Sequence, residues 1–218
     1  MARPTVSRET PHPQRAVVSR ETRERLQTYL DLLLRWNRTI NLIARGDEAN
    51  AWDRHVEDSL DLLPLLPPSF SHAIDLGSGG GLPGLVLAIA TDRPFHLVES
   101  DQRKAAFLRE AARAVAAPAT VHAQRIEGLN LAPAPLITAR ALAPLPKLLE
   151  WANPFLAPGG ICVFPKGKSA EDELTAAAAG WHMRVQKTPS RTDPAALILS
   201  ISEIARVGPA PHRTAPTG

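Results

Sequence analysis

Apolar residues at Leu26, Tyr29, Leu30, Leu33 and Leu34 recur at helical spacing behind Ser19, a candidate N-cap with Glu21 in the first turn. This pattern predicts an amphipathic helix. A second helix is predicted over about 47 to 63, stopped by Pro64, Pro67 and Pro68. Beyond the prolines the rhythm changes to short β-like runs, "HAIDLG", "FHLVES", "TVHAQ", "LITARA", "ICVFPK", "WHMRVQK" and "ALILSISEI". Helix-like stretches over 83–91, 101–117, 145–156 and 169–180 lie among them. Such alternation predicts an α/β fold with a doubly wound, mostly parallel sheet of seven strands. The last two runs are joined only by "TPSRTDPA", too short for a parallel crossover, so they are expected to pair as an antiparallel hairpin. The expected organisation is an N-terminal helical extension over 19–68 and an α/β domain over 69–206. Residues 1–18 and 207–218, rich in Pro, Arg, Ser and Thr without periodicity, read as disordered tails.

Composition narrows the picture. The 218 residues, 44% hydrophobic, suffice for one main core. The single cysteine, Cys162, excludes an internal disulfide and a cysteine-rich zinc site, which fits a reducing compartment. No apolar run approaches the roughly 20 residues needed to cross a bilayer, and the arginine-rich start lacks the apolar core of a secretory signal. A cytoplasmic protein is expected. Net charge is +3, and its excess lies early: residues 1–45 hold nine arginines against four acids. A basic N-terminal face is consistent with a polyanionic partner and equally with a solvated helix face.

The stretch "AIDLGSGGGLPG" carries the chemistry. It falls at the carboxyl end of the first predicted strand, where open α/β sheets bind ligands. Gly77, Gly79 and Gly81 permit a sharp turn and a close ligand approach. Glu99, ending the second strand 22 residues after Gly77, stands within reach of a ribose across the turn. Gly79, Gly81 and Gly84 also satisfy G-x-G-x-x-G, so a nicotinamide or flavin dinucleotide stays open. Asp75, ahead of the glycines, places a negative charge that repels a pyrophosphate and attracts a sulfonium and an ammonium, the cations of S-adenosylmethionine. Asp75 can equally cap the turn through backbone N–H groups. "GKS" at 167–169 lacks the first glycine of a Walker loop, and Ser78 lacks the glycine of a nucleophile elbow.

"LLRWNRTINLIA", "HVEDSL", "DLGSGGGLPG", "RIEGL", "ARA" and "FPKGK" occur in an order and spacing that resemble the bacterial 16S rRNA guanine-N7 methyltransferases, the glucose-inhibited division protein B family, over about residues 26–175. The resemblance implies a Rossmann-like class I methyltransferase with an N-terminal helical extension. It implies S-adenosyl-L-methionine as cofactor and guanine 527 in the 530 loop of 16S rRNA as the family's target. Carried over, Gly77, Leu82, Ile126, Glu127, Arg140 and Glu99 fall at cofactor positions, joined by Gly79, Gly81 and Asp75 from the turn itself. The chain departs from the pattern at Ile43, where threonine is common, and at Ala139, where serine is common. A monomer acting on 16S rRNA or a small-subunit assembly intermediate, away from any membrane, is the expected form. A dinucleotide-dependent oxidoreductase and a non-catalytic RNA-binding protein are the competing readings.

Four further residues are candidates for the substrate side. His55 and Asp58 share a helical face at i and i+3 and could close over the site or brace the helices. Lys166 and Lys168 end the fifth predicted strand at the ligand edge, where a cation could hold an RNA phosphate. Arg140 can grip a carboxylate or phosphate bidentately, which gives it a positioning role. Transfer to N7 requires no general base, and no metal site is expected. Trp36 and Trp52 could stack on a base but suit a small helical core as well.

Overall fold

The computed structural model describes residues 17–208. Of the predicted tails 1–18 and 207–218, residues 1–16, with Arg3, Arg8 and Arg15, and 209–218 lie outside the described residues.

Helix α1, Arg20–Asn37, starts at the predicted cap: Ser19 Oγ accepts from the Thr22 amide. Leu26, Tyr29, Leu30 and Leu33 are buried as the spacing requires. Arg25 fastens this helix to the rest by donating to the Val115 and Ala116 carbonyls at 2.9 and 3.0 Å. The second predicted helix is not one regular element. A 3-10 stretch Arg45–Asn50 leads into a π-helical segment Trp52–Glu57 and a single α turn, α2, Asp58–Leu60. The wider π turn is a local insertion into the helical repeat. Three consecutive residues within it, His55, Val56 and Glu57, are buried.

The sheet has seven strands in the order β3-β2-β1-β4-β5-β7-β6. These are β1 Ala73–Leu76, β2 Phe95–Val98, β3 Ala119–His122, β4 Ala134–Thr138, β5 Leu156–Lys166, β6 Trp181–Pro189 and β7 Leu197–Arg206. β1 through β5 pair in parallel, and β7 lies antiparallel between β5 and β6. The expected hairpin is present, and its second strand is the one that joins the sheet. Helices α3 (Gly84–Thr91), α4 (Gln102–Ala114), α5 (Leu145–Ala152) and α6 (Ala170–Ala178) connect the strands.

One core holds α1, the irregular helical stretch, α3 and α4 against one face of the sheet; a second packs α5 and α6 against the other. The N-terminal helices thus share a core with the sheet. β1 is buried along its whole length, the signature of a strand covered on both faces. The order of strands reverses between β1 and β4, which fixes the ligand site beyond their carboxyl ends.

Candidate active site

The glycine turn follows β1, and three long-range contacts shape it. The Gly79 amide donates to Glu99 Oε2 at 2.9 Å from the end of β2. The Tyr29 hydroxyl, buried in α1, donates to the Gly80 carbonyl at 2.5 Å. Burial pushes the tyrosine pKa far up, which keeps it a donor. Leu42 presses on the turn from a loop that buried Asn37 organises: its Oδ1 accepts from the Leu42 and Ile43 amides at 2.8 and 3.0 Å. This is the structural reason for "WNRTINLIA".

Gly77 has φ +66°, and a Cβ there would meet the Leu142 methyl at 2.5 Å. The bare backbone lets the loop after β4 close on the turn. Together they bound a cavity of about 410 Å³, lined by Gly77, Gly79, Leu82, Glu99, Ile126, Glu127 and Arg140. Seven of the nine residues assigned to the cofactor from sequence meet here. Trp151, Leu142 and Lys104 also line it and carry no signal in a local pattern. The Trp151 indole donates to Glu127 Oε1 at 3.1 Å, tying α5 to the segment after β3.

Asp75 and Gly81 stand apart from this wall. Asp75 is wholly buried; its Oδ1 accepts from Thr138 Oγ1 at 2.6 Å, and its Oδ2 abuts the backbone of Gly84 without a hydrogen bond. Burial raises its pKa to about 6. The carboxylate supports the turn from behind and does not line the cavity; the acid of the two that does is Glu99. The third glycine of the G-x-G-x-x-G spacing, Gly84, likewise serves helix-to-strand contact, since a Cβ there would lie 2.5 Å from Asp75. Close helix-to-strand packing is also what the third glycine of a dinucleotide fingerprint provides, so this spacing by itself does not separate the two cofactors.

A second cavity of about 600 Å³ lies on the other side of Arg140, Ala141 and Leu142, which line both cavities. Ala141 adopts φ 51° in this dividing segment, a conformation that is strained for a residue with a side chain. Arg140 Nη2 lies 3.2 Å from His55 Nδ1. Asp58 lines the second cavity, and its Oδ1 accepts from Thr192 Oγ1 at 2.5 Å. Asp58 thus lines the second cavity, whereas His55 lines neither and meets the site only through Arg140.

Lys166 does not fit the role of a phosphate-gripping cation. It is buried, 2.7 Å from Glu173 Oε2, and donates to the Ala143 carbonyl at 2.7 Å. It fastens the dividing segment to α6. Lys168 is exposed beside it. Trp36 packs on Phe107 with ring centroids 5.8 Å apart, and the Trp52 indole donates to Glu57 Oε1, so both belong to the helical layer. Among the described residues no cluster is arranged to hold a metal ion, and no helix is long and apolar enough to cross a membrane.

Burial and the adjacent Arg140 push the His55 pKa down to about 4. An unfolded histidine titrates near 6.5, so on acidification from about pH 6.5 the unfolded chain takes up a proton that the folded chain refuses. The His55 contribution to stability is full above that pH and is lost towards pH 4. Asp75, raised to about 6 by burial, has the opposite slope: its burial penalty is relieved on acidification. His55→Gln removes only the first slope. Urea melts at about pH 7 and 4.5 are expected to show the variant losing less stability than the parent, by about 1–2 kcal/mol. Equal losses would mean that His55 is not held neutral.

Comparison with known proteins fits this geometry. The family model described as rRNA small subunit methyltransferase G matches residues 22–194. The ribosomal RNA small subunit methyltransferase G of Granulibacter bethesdensis is 63% identical over 195 residues, covering 89% of this chain and 92% of that protein. Its namesake in Gluconobacter oxydans is 56% identical over 190 residues, covering 87% and 98%. Among solved structures, the ribosomal protein L11 methylase of Lactobacillus delbrueckii subsp. bulgaricus superposes with a TM-score of 0.55 at 15% identity, over 68% of this chain and 78% of that one. That likeness identifies the class I methyltransferase fold. With a family match across most of its length and close relatives matched nearly end to end, this chain belongs to the rRNA small subunit methyltransferase G (GidB) family.

Proposed function

We propose that this protein transfers the methyl group of S-adenosylmethionine to N7 of a guanine in 16S rRNA. It acts as a monomer in the cytoplasm, on the small ribosomal subunit or an assembly intermediate of it. The observation that carries this reading is the wall Arg140–Ala141–Leu142 shared by the two cavities. A cofactor site and a base-sized site adjoin at these residues, and direct transfer needs the two to open onto each other there so that N7 meets the methyl in line.

The residues present fit the cofactor. The glycine turn is a cradle that a Cβ at Gly77 would fill, and Glu99 faces it. Each Glu99 oxygen already accepts one amide, from Gly79 and Asp101, and keeps a second lone pair for a ribose hydroxyl. Ile126 and Leu82 offer apolar faces to an adenine. When bound, S-adenosylmethionine supplies an electrophilic methyl on a sulfonium. With it held there, the N7 lone pair would take that methyl, the C–S pair staying on sulfur, so that the products would be a neutral thioether and a cationic purine. No proton moves, so the residues align and desolvate and need not act as a base.

Two results are expected. Glu99→Ala should weaken S-adenosylmethionine binding by about 1.5–3 kcal/mol in calorimetry, the range for hydrogen bonds to a charged group. Unaltered binding would place the ribose elsewhere. Single-turnover rates should vary little between about pH 6.5 and 8.5, because His55 and Asp75 titrate near 4 and 6, below that window. A steep profile tracing to one side chain would argue against N7. The reading as a whole is tested by calorimetry with S-adenosylhomocysteine and NAD: binding of the first alone is expected, and tight binding of NAD alone would restore the oxidoreductase alternative.

A further inference from the structure

Guanine and adenine both carry N7 with an in-plane lone pair, so the transfer chemistry cannot choose between them. The second cavity must. Its carboxylates are unequal. Glu173 is paired with Lys166 and Asp61 with Arg191, at 2.7 and 2.9 Å. Asp193 is exposed and accepts from the Ala195 amide. Asp58 is half-buried, and among the described residues no cation lies within ion-pair distance of it. Its Oδ1 takes the Thr192 hydroxyl, from a loop 134 positions away in sequence, and Oδ2 accepts no hydrogen bond from the described residues. A partly desolvated carboxylate with a fixed rotamer and an open acceptor invites a ligand that brings donors.

Resting on the functional reading above, we infer that Asp58, oriented by Thr192, reads the Watson–Crick edge of the target guanine by accepting its N1–H and N2–H donors. Guanine presents these two donors side by side, matching the two oxygens of a carboxylate. Adenine presents the N1 lone pair and a C–H there, and is repelled. A base that meets Asp58 through its Watson–Crick edge turns its opposite edge, with N7, away from Asp58. Arg140 is left to meet O6 or the backbone, because an arginine bonded to both O6 and N7 would occupy the reacting lone pair. As the C–N bond forms, the purine gains positive charge, which spreads to N1–H and N2–H; the hydrogen bonds to Asp58 then strengthen in the transition state.

The test pairs a protein change with a base change. RNA containing the methylated position is made with guanine or inosine there; inosine keeps N1–H and lacks the 2-amino group. The parent protein is expected to bind guanine RNA roughly 10- to 100-fold tighter than inosine RNA without cofactor, and to methylate it faster by a similar factor. In Asp58→Ala both ratios should fall towards one, while S-adenosylmethionine binding stays unchanged because Asp58 lines only the second cavity. Asp58→Asn, which keeps the shape and one acceptor, should give intermediate ratios and serves if the alanine variant fails to fold. A preserved ratio in both variants, or no preference in the parent, would overturn the inference. Failure of the parent to place any methyl on guanine N7 would instead overturn the functional reading, and is scored separately by nucleoside analysis.

Discussion

Lys166→Ala is expected to destabilise the fold by about 3 kcal/mol while leaving the salt dependence of RNA binding unchanged. The Lys166 side chain is 6% exposed, and its ammonium satisfies both Glu173 and the Ala143 carbonyl. Breaking a buried pair by removing one partner costs about 3–5 kcal/mol. The lower end applies because Glu173 retains the Leu145 amide and the Ser169 hydroxyl, each at 2.7 Å. A chain of this length should melt roughly 6–12 °C lower. Lys168→Ala is the contrast: its stability should stay within about 0.5 kcal/mol, and the slope of log K against log salt should shrink by up to about one phosphate equivalent. Thermal melts and salt titrations of both variants separate the roles. A stable Lys166→Ala protein with a shallower salt slope would show the lysine to be a phosphate contact after all.

Gly84→Ala should be almost as damaging, although alanine is the better helix former. The added Cβ would sit 2.5 Å from Cβ and Cγ of Asp75 and 2.6 Å from its Oδ2. Asp75 cannot retreat, being fully buried in β1 and bonded to Thr138. Overpacking of this kind costs about 1–3 kcal/mol or more, against about 1 kcal/mol gained in helix propensity. A net loss of about 2 kcal/mol in urea melts is expected, the upper end of that difference because Asp75 cannot move, with weakened cofactor binding as the turn shifts. Gly77→Ala carries a different cost: its Cβ would meet only the flexible Leu142 side chain, but its φ of +66° is strained for alanine by about 1–2 kcal/mol. Parental stability in Gly84→Ala would mean that helix α3 and strand β1 are not in the tight contact that shapes the turn.

Most of the strands were legible as short apolar runs bounded by proline, glycine or polar residues, as buried strands have to be, while β3 and β6 are only partly buried and mix polar residues into their runs. The start of α1 was legible for the same local reason, a Ser cap before a periodic face. β5 begins earlier than its apolar core suggests, because Leu156 pairs with Ala134 ahead of an irregularity over 157–160, after which the register resumes at Ile161. The π segment at Trp52–Glu57 escaped because no helical period marks it; it pairs a distant contact, His55 with Arg140 85 residues away, with a local one at i, i+5, the Trp52 indole on Glu57. In the site, residue types and positions were readable but partners were not. Asp75 faces Thr138, Tyr29 reaches Gly80 and Asp58 meets Thr192 across 63, 51 and 134 positions. No period of two or 3.6 encodes such pairs. That is why Lys166 read as a surface cation and Asp75 as a ligand contact.

Central to everything above is the transfer of one methyl group to guanine N7 in small-subunit rRNA. The most direct measurement incubates the purified protein with isotope-labelled S-adenosylmethionine and small ribosomal subunits, or their free 16S rRNA, from cells lacking this modification. The RNA is then digested to nucleosides and weighed by mass spectrometry. The expected result is label in N7-methylguanosine alone, approaching one per 16S rRNA. Label in any other nucleoside, or none despite measured binding of S-adenosylmethionine, would contradict it.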